Sequence, residues 1–170
     1  MNIGKNWKHR RAAEDLRACY LCSANHGKVY SISETPIPNP PVHFGCRCVI
    51  DVMLSFSAGE ATSLGKQGAD WYLFVKGALP DYYISKEDAK RKRWNSKKGN
   101  LANIAPGKMI YGGRYYNDNK HLPMRPGRIW YEADINYKSG KRNSERILSS
   151  NDGLIFVTYD HYNTFMEITE

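Results

Sequence analysis

The chain has 170 residues, 25 of them Lys or Arg and 17 Asp or Glu, giving a net charge of +8 and a pI near 9.3. That length suits one domain of ordinary size plus a small second module, and an apolar share of 41% is too high for a disordered chain. No run of 18 apolar residues occurs, so no membrane span is expected, and the positive balance favours a polyanionic partner, nucleic acid first.

The opening residues, Met1 to Lys8, are basic and lead into no apolar stretch, so no signal peptide is expected. Lys8 to Arg17 is mostly helix formers and predicts a helix. All four cysteines lie between Cys19 and Cys48, and Pro36, Pro38, Pro40 and Pro41 make the segment between the two pairs extended. From Ser55 onward small residues dominate. We therefore divide the chain into a Cys/His-rich module over 1–54, a linker over 55–67 and a second domain over 68–170. Residues 1–54 carry 7 basic and 4 acidic residues and the remainder 18 and 13, so positive charge is not confined to a detachable tail.

Within the second domain, Ala69 to Lys76 reads as a short helix closed by Gly77. Ser85-Lys86-Glu87-Asp88 reads as a capping box for a helix to about Trp94, and Asn100 to Ala105 as one further turn before Pro106. Then the pattern changes. Arg128–Ile135, Asn143–Ser149, Leu154–Asp160 and Thr164–Thr169 are β-rich runs separated by turn residues. Helices followed by consecutive strands predict an α+β fold, with the helices packed on a twisted antiparallel β-sheet. Trp71, Trp94 and Trp130 are expected in the core, and Lys90 to Arg93 on a solvated helix face.

The strand pattern places chemistry on one face. Trp130, Glu132, Asp134 and Asn136 share a parity, as do Arg142, Ser144 and Arg146 in the next run, so a hairpin through residues 137–141 sets two carboxylates against two guanidiniums. His161 follows the third run in a loop. A carboxylate that takes a proton from a hydroxyl, a histidine that protonates a leaving oxygen and arginines that hold a charged phosphorus together suit phosphodiester chemistry. A salt-bridged sheet surface with a surface histidine is the alternative.

The cysteine spacing has its own chemistry. Cys19-x2-Cys22 with His43-x2-Cys46-x-Cys48 supplies donors for a closed, structural zinc site from two knuckles, His26 lying between them; two disulfides and free thiols are the other possibilities. No cofactor for catalysis is expected.

Gly68 to Thr169 resembles the barnase-type microbial ribonucleases, a guanyl-preferring family. The resemblance rests on Leu79-Pro80-Asp81, Lys98 to Ala102, Ala105 to Lys108, Glu132 to Tyr137, Arg142-Asn143-Ser144, Arg146-Ile147-Leu148 and Asp160-His161-Tyr162. It implies three helices before a twisted antiparallel sheet whose face carries the active site. It implies Glu132 as general base and His161 as general acid. It implies phosphate contacts from Arg142 and Arg146, transition-state stabilisation by Lys86, a tyrosine beside the catalytic histidine at Tyr162, and a supporting buried aspartate at Asp134. Tyr162 and Ser144 are expected at the substrate, with Asn117, Asp118 and Asn119 in the base-recognition loop. The implied reaction is metal-free attack of the ribose 2′-hydroxyl on the adjacent phosphate to give a 2′,3′-cyclic phosphate, and DNA lacks that nucleophile. Two departures matter. Asp118 and Asn119 stand where the family carries an Arg-Glu pair, and Gly113 where it has an aspartate.

Cys19 to Cys22, His26-Gly27 and Pro40 to His43 leading into Cys46-Arg47-Cys48 resemble the Cys/His end of phage Mu F-like head-morphogenesis proteins. The two resemblances together imply a ribonuclease toxin, secreted or delivered as part of a larger protein and active in a target-cell cytoplasm. RNA is its substrate, the chain is expected to be monomeric, and a small acidic barstar-like inhibitor is its expected partner. A non-catalytic RNA-binding module or a phage head structural protein is the competing reading.

Overall fold

The β-rich runs pair into one sheet of nine strands among the described residues, which are 1–13, 15 and 17–170 of this computed structural model. In chain order the elements are β1 (Asn2–Arg11), α1 (Tyr20–Ser23), β2 (Val29–Ser31), β3 (Val49–Ser57), α2 (Ala69–Lys76), β4 (Tyr83–Ser85), α3 (Lys86–Arg91), α4 (Leu101–Ile104), β5 (Met109–Tyr115), β6 (Trp130–Asp134), β7 (Arg146–Ser150), β8 (Ile155–Thr158) and β9 (Met166–Thr169). Across the sheet they run β2-β1-β3-β9-β8-β7-β6-β5-β4.

The α+β expectation holds, with two corrections. The sheet is mixed: β3 pairs parallel with β9 and β4 parallel with β5, while the other neighbours are antiparallel. Helices are few and short. The three expected helices are present, but α3 ends at Arg91 and not near Trp94, because Arg93 turns to φ 66°. The helix expected over Lys8–Arg17 is corrected as well: Lys8 to Arg11 are the end of β1, held by β2 and β3 on either side. Glu14 and Leu16 lie outside the described residues. Helix propensity lost here to backbone pairing, since a strand flanked on both edges satisfies every N–H and C=O that a helix would. Residues 55–57, expected in the linker, are the last residues of β3 and pair with Glu167, Ile168 and Thr169.

Two apolar layers sandwich the central strands. On one face α2 packs against β7, β8 and β9, and Ala69, Ala133, Ile135, Ile147, Val157 and Ile168 close the main core. On the other face Trp130, Leu148 and Phe156 join Leu122 and Phe165, and here Val29, Met53 and Trp7 from the first part of the chain complete the cluster. A third small core under α3 and α4 contains Ile84, Ala89, Leu101 and Ile110, with Trp94 against it. Trp130 is buried and Trp94 half-buried, as expected, and residues 90–93 are exposed.

A buried carboxylate ties the start of α2 to the preceding loop. Asp70 is fully buried; one oxygen accepts from the backbone N–H of Gly59 (2.8 Å) and Ala61 (3.0 Å), the other from the Thr62 hydroxyl (2.8 Å). Removing the acceptor leaves one buried and two half-buried donors unpaired, at about 1–3 kcal/mol for a fully buried one. Asp70→Ala is therefore expected to lower the urea-unfolding free energy by an amount in that range or above it; an unchanged midpoint would show that the loop does not depend on this carboxylate.

Candidate active site

The register across β6, β7 and β8 builds the site. Asp134 lies opposite Arg146, which lies opposite Thr158; Glu132 lies opposite Leu148, which lies opposite Phe156. Alternation sends these side chains to the face away from α2. Asp134 is fully buried. Its carboxylate accepts from Arg142 Nε (2.9 and 2.8 Å) and from Arg142 Nη2 (2.5 Å), and Arg146 Nε stands 3.1 Å away. Arg146 Nη1 donates to Asn143 Oδ1 (3.1 Å) and to the Glu145 carbonyl (2.7 Å). Arg142 Nη1 and Arg146 Nη2 have no partner among the described residues and remain available on the cationic side of the site. Burial lowers the Arg142 pKa and Asp134 raises it more, so the guanidinium stays charged.

Glu132 is held from both sides. Lys86 Nζ donates to Oε1 at 2.7 Å and Tyr162 Oη to Oε2 at 2.5 Å. Burial pushes the Glu132 carboxyl up; the Lys86 and Tyr162 hydrogen bonds and the Arg142 charge outweigh it, and the net shift is downward. Tyr162 moves the other way, raised first by burial and then by the carboxylate it touches. A negative neighbour favours the neutral phenol, so Tyr162 remains a donor.

Lys86 reaches Glu132 because of two local features. Ser85 caps α3, its hydroxyl accepting from the Asp88 N–H at 2.9 Å, and sets Lys86 as the first helical residue. On β5 the register slips between Tyr111 and Arg114, so Gly112 and Gly113 together stand against the single residue Glu132. Gly112 has φ 85°, a conformation that the bulge requires and that side chains resist. A Cβ at Gly113 would lie 3.0 Å from Lys86 Nζ and 3.9 Å from Glu132 Oε1, so any carboxylate at 113 would compete for the lysine.

His161 and Tyr162 sit in a loop with left-handed backbones, φ 57° and 70°. Asp160 holds that loop: its carboxylate accepts from the backbone N–H of Asn163 and Thr164 and from the Thr158 and Thr164 hydroxyls. Burial raises the Asp160 carboxyl and these donors outweigh it, leaving it ionised. The Thr158 hydroxyl also accepts from Tyr162 N (3.0 Å). His161 is exposed, its backbone N–H on the Ser144 carbonyl (3.2 Å), and its ring centroid lies 5.0 Å from that of Tyr162. Tyr162 stacks on Tyr115 at 5.1 Å and 20°.

The structure thus brings Lys86, Glu132, Asp134, Arg142, Arg146, His161 and Tyr162 to one face. Other expected substrate contacts are engaged elsewhere. The Ser144 hydroxyl donates to the Tyr159 carbonyl (2.9 Å). The Asn117 amide brackets its own loop, Nδ2 donating to the Leu122 carbonyl (2.7 Å) and Oδ1 accepting from Leu122 N (3.0 Å). Asn119 Oδ1 accepts from His121 N (3.2 Å). Asp118 is exposed and makes no hydrogen bond among the described residues. Sequence reasoning missed Tyr115, Thr158 and the bulge on β5. Only the bulge had a readable signal, the Gly-Gly pair inside an otherwise strand-like run.

The comparisons agree with this geometry. The ribonuclease family model matches residues 71–169. The chain is 50% identical over 97 residues to a ribonuclease of Heyndrickxia coagulans, the match covering 57% of this chain and 89% of that one. The same identity and length relate it to ribonucleases of Bacillus intermedius and Bacillus pumilus, where the match spans 60% of each relative. With more than half of its residues under the family model and the paired carboxylates and arginines on one sheet face, the chain belongs to the ribonuclease family.

Proposed function

We propose that this chain is a metal-independent endoribonuclease that cleaves single-stranded RNA by transesterification. The observation that carries this reading is the Glu132 carboxylate, clamped between Lys86 and Tyr162 beside the Asp134-braced arginines. The Glu132 carboxylate takes the proton of a ribose 2′-hydroxyl as its oxygen attacks phosphorus. The bond from phosphorus to the 5′-oxygen breaks, and the His161 imidazolium returns a proton to that oxygen. The product is a 2′,3′-cyclic phosphate. Arg142 grips Asp134 with Nε and Nη2, Arg146 stands against it through Nε, and the remaining Arg142 Nη1 and Arg146 Nη2 turn to the phosphoryl oxygens, where charge grows in the transition state. Lys86 adds a third cation from the other side of Glu132. In the recognition loop Asp118 is the carboxylate left free to read a base edge, since Asn117 and Asn119 are spent on the loop itself. The chain acts as a monomeric toxin-type effector, and the cation-rich site suits a small acidic inhibitor of the barstar kind in the cell that makes it.

The test is incubation with a defined single-stranded RNA and the matching DNA in EDTA. Cleavage of RNA alone, with cyclic phosphate ends, is expected; intact RNA with folded protein would remove the proposal. Glu132→Ala and His161→Ala are each expected to lower kcat/KM by roughly 10²–10⁴-fold, the usual range for a lost general base or acid.

The pH profile follows from the site's charges. A depressed Glu132 pKa keeps the base ionised down to pH values below the ordinary glutamate range, so the acid limb of kcat/KM lies low. Lys86→Ala removes the cation that depresses it, and the limb is expected to move to higher pH. A limb that stays put while the rate falls would assign Lys86 to the phosphate alone.

Asp134 carries the arginines, and removing it leaves two guanidiniums of low exposure without a counter-charge. Asp134→Ala is expected to cost about 3–5 kcal/mol in chemical denaturation, as for other broken buried pairs, besides the loss of cleavage.

A further inference from the structure

The Cys/His cluster in the first part of the chain lies outside the ribonuclease chemistry and is built as a site in its own right. Three sets of contacts meet there. The Nε2 of His43 stands 3.2 Å from both Cys19 Sγ and Cys22 Sγ. Cys22 Sγ stands 3.8 Å from Cys46 Sγ, and the sulfurs of Cys22, Cys46 and Cys48 all lie within 4.8 Å of one another. All four cysteines are free thiols, not disulfides.

Two of the donors are oriented for a cation. His43 Nδ1 is 2.8 Å from the Phe44 carbonyl, an acceptor, so Nδ1 carries the proton and the lone pair is on Nε2, facing the sulfurs. Cys19 caps α1 and its sulfur accepts from the Cys22 N–H at 3.4 Å, which favours a thiolate. A tetrahedral zinc with bonds to sulfur of ~2.3 Å has sulfur–sulfur edges of about 3.8 Å, the separation of Cys22 from Cys46.

A buried charge points the same way. Arg10 is fully buried; Nη1 donates to the Pro38 carbonyl at 2.6 Å, while Nε and Nη2 find no hydrogen-bond partner. The nearby ionisable groups are the thiols of Cys48 and Cys22 and the Tyr30 hydroxyl. Neutral thiols leave a buried guanidinium uncompensated, a state folded proteins avoid. Three thiolates around a divalent ion carry one net negative charge, which matches Arg10. Outside the cluster, Arg47 and Asp15 form a two-pronged pair at 2.7 Å and 2.7 Å that closes the second knuckle against the segment before the first.

We propose that Cys19, Cys22, His43 and Cys46 bind a structural zinc ion, with Cys48 set toward Arg10. The site is joined to the recognition loop. Four residues past Cys22, the His26 carbonyl meets His121 Nε2 at 3.2 Å, Gly27 leaves room for that ring where a Cβ would lie 2.3 Å from it, and Val29 N donates to the Lys120 carbonyl at 3.1 Å. The ion therefore fixes the arm on which residues 117–122 rest. The proposal stands whether or not the chain cleaves RNA.

The test uses the full chain, produced with added zinc and dialysed. Elemental analysis is expected to find about one zinc per chain, as for a closed four-ligand site. Cys22→Ser and His43→Gln are expected to lose it and Cys48→Ser to keep it. Chelation of the wild-type protein is expected to speed hydrogen exchange over residues 19–48 and 117–122. Folded wild-type protein without zinc, or mass spectrometry showing disulfides in zinc-supplied protein, would overturn the site. Zinc kept by Cys46→Ser and lost by Cys48→Ser would overturn the assignment of the fourth ligand. Unchanged exchange over 117–122 on chelation would overturn the coupling to the recognition loop.

Discussion

The site depends on one buried carboxylate. Asp134 has no access to water and meets two guanidiniums: Arg142 is gripped through Nε and Nη2, while Arg146 is held by the charge of Asp134 at Nε and by Asn143 and Glu145 at Nη1, so each arginine keeps one terminal nitrogen unpartnered. A lone arginine on an exposed strand would sample many rotamers and lose that entropy on binding a phosphate; here folding has already fixed it. The same register that sets Asp134 opposite Arg146 sets Glu132 opposite Leu148, two residues along the same face. Charge placement and strand pairing are thus one constraint. A one-residue slip would turn both carboxylates to the core under α2.

Around this centre, opposite pKa shifts divide the labour. Lys86 and Tyr162 lower Glu132, and Glu132 raises Tyr162, so an ionised carboxylate and a neutral donor coexist within one hydrogen bond. The His161–Tyr162 loop holds its left-handed backbone because Asp160 gathers its N–H and hydroxyl groups. Backbone strain there is offset by hydrogen bonds of the same loop.

The first part of the chain is continuous with the rest through the sheet. β3 joins β9 in parallel, and Glu167 on β9, buried there, accepts from Asn6 Nδ2 (3.0 and 3.1 Å) and Trp7 Nε1 (3.0 Å). Burial raises the Glu167 carboxyl more than these neutral donors lower it. Trp7, Val29 and Met53 fill the apolar layer that also holds Trp130 and Leu148, on the same sheet face as the side chains of the site. The loop of residues 117–122 rests on this arm and on its own Asn117 bracket, so its shape is set from both parts of the chain.

Much of this was legible in the residues. Period-two alternation put Glu132 and Asp134 on one face, the capping box marked the start of α3 at Lys86, and Gly77 marked the end of α2, because these signals are local and depend on neighbours within a few positions. The long stretches in register with the ribonucleases pointed to His161 and both arginines, which spacing alone left as a salt-bridged surface. What local signals missed is what distant partners decide. Lys8 to Arg11 has helix-forming residues and became a strand because β2 and β3 lie on either side. Ser55 to Ser57 looked like linker and pairs with a strand more than a hundred positions away. Asn117, Asn119 and Ser144 each lend a polar atom to a loop contact that residue type alone does not reveal. The sequence by itself determined the chemistry available and the local periodicity, because both reside in single residues and their near neighbours. The tertiary structure determined which polar groups are free to act, because that depends on which partners the fold brings within hydrogen-bond reach.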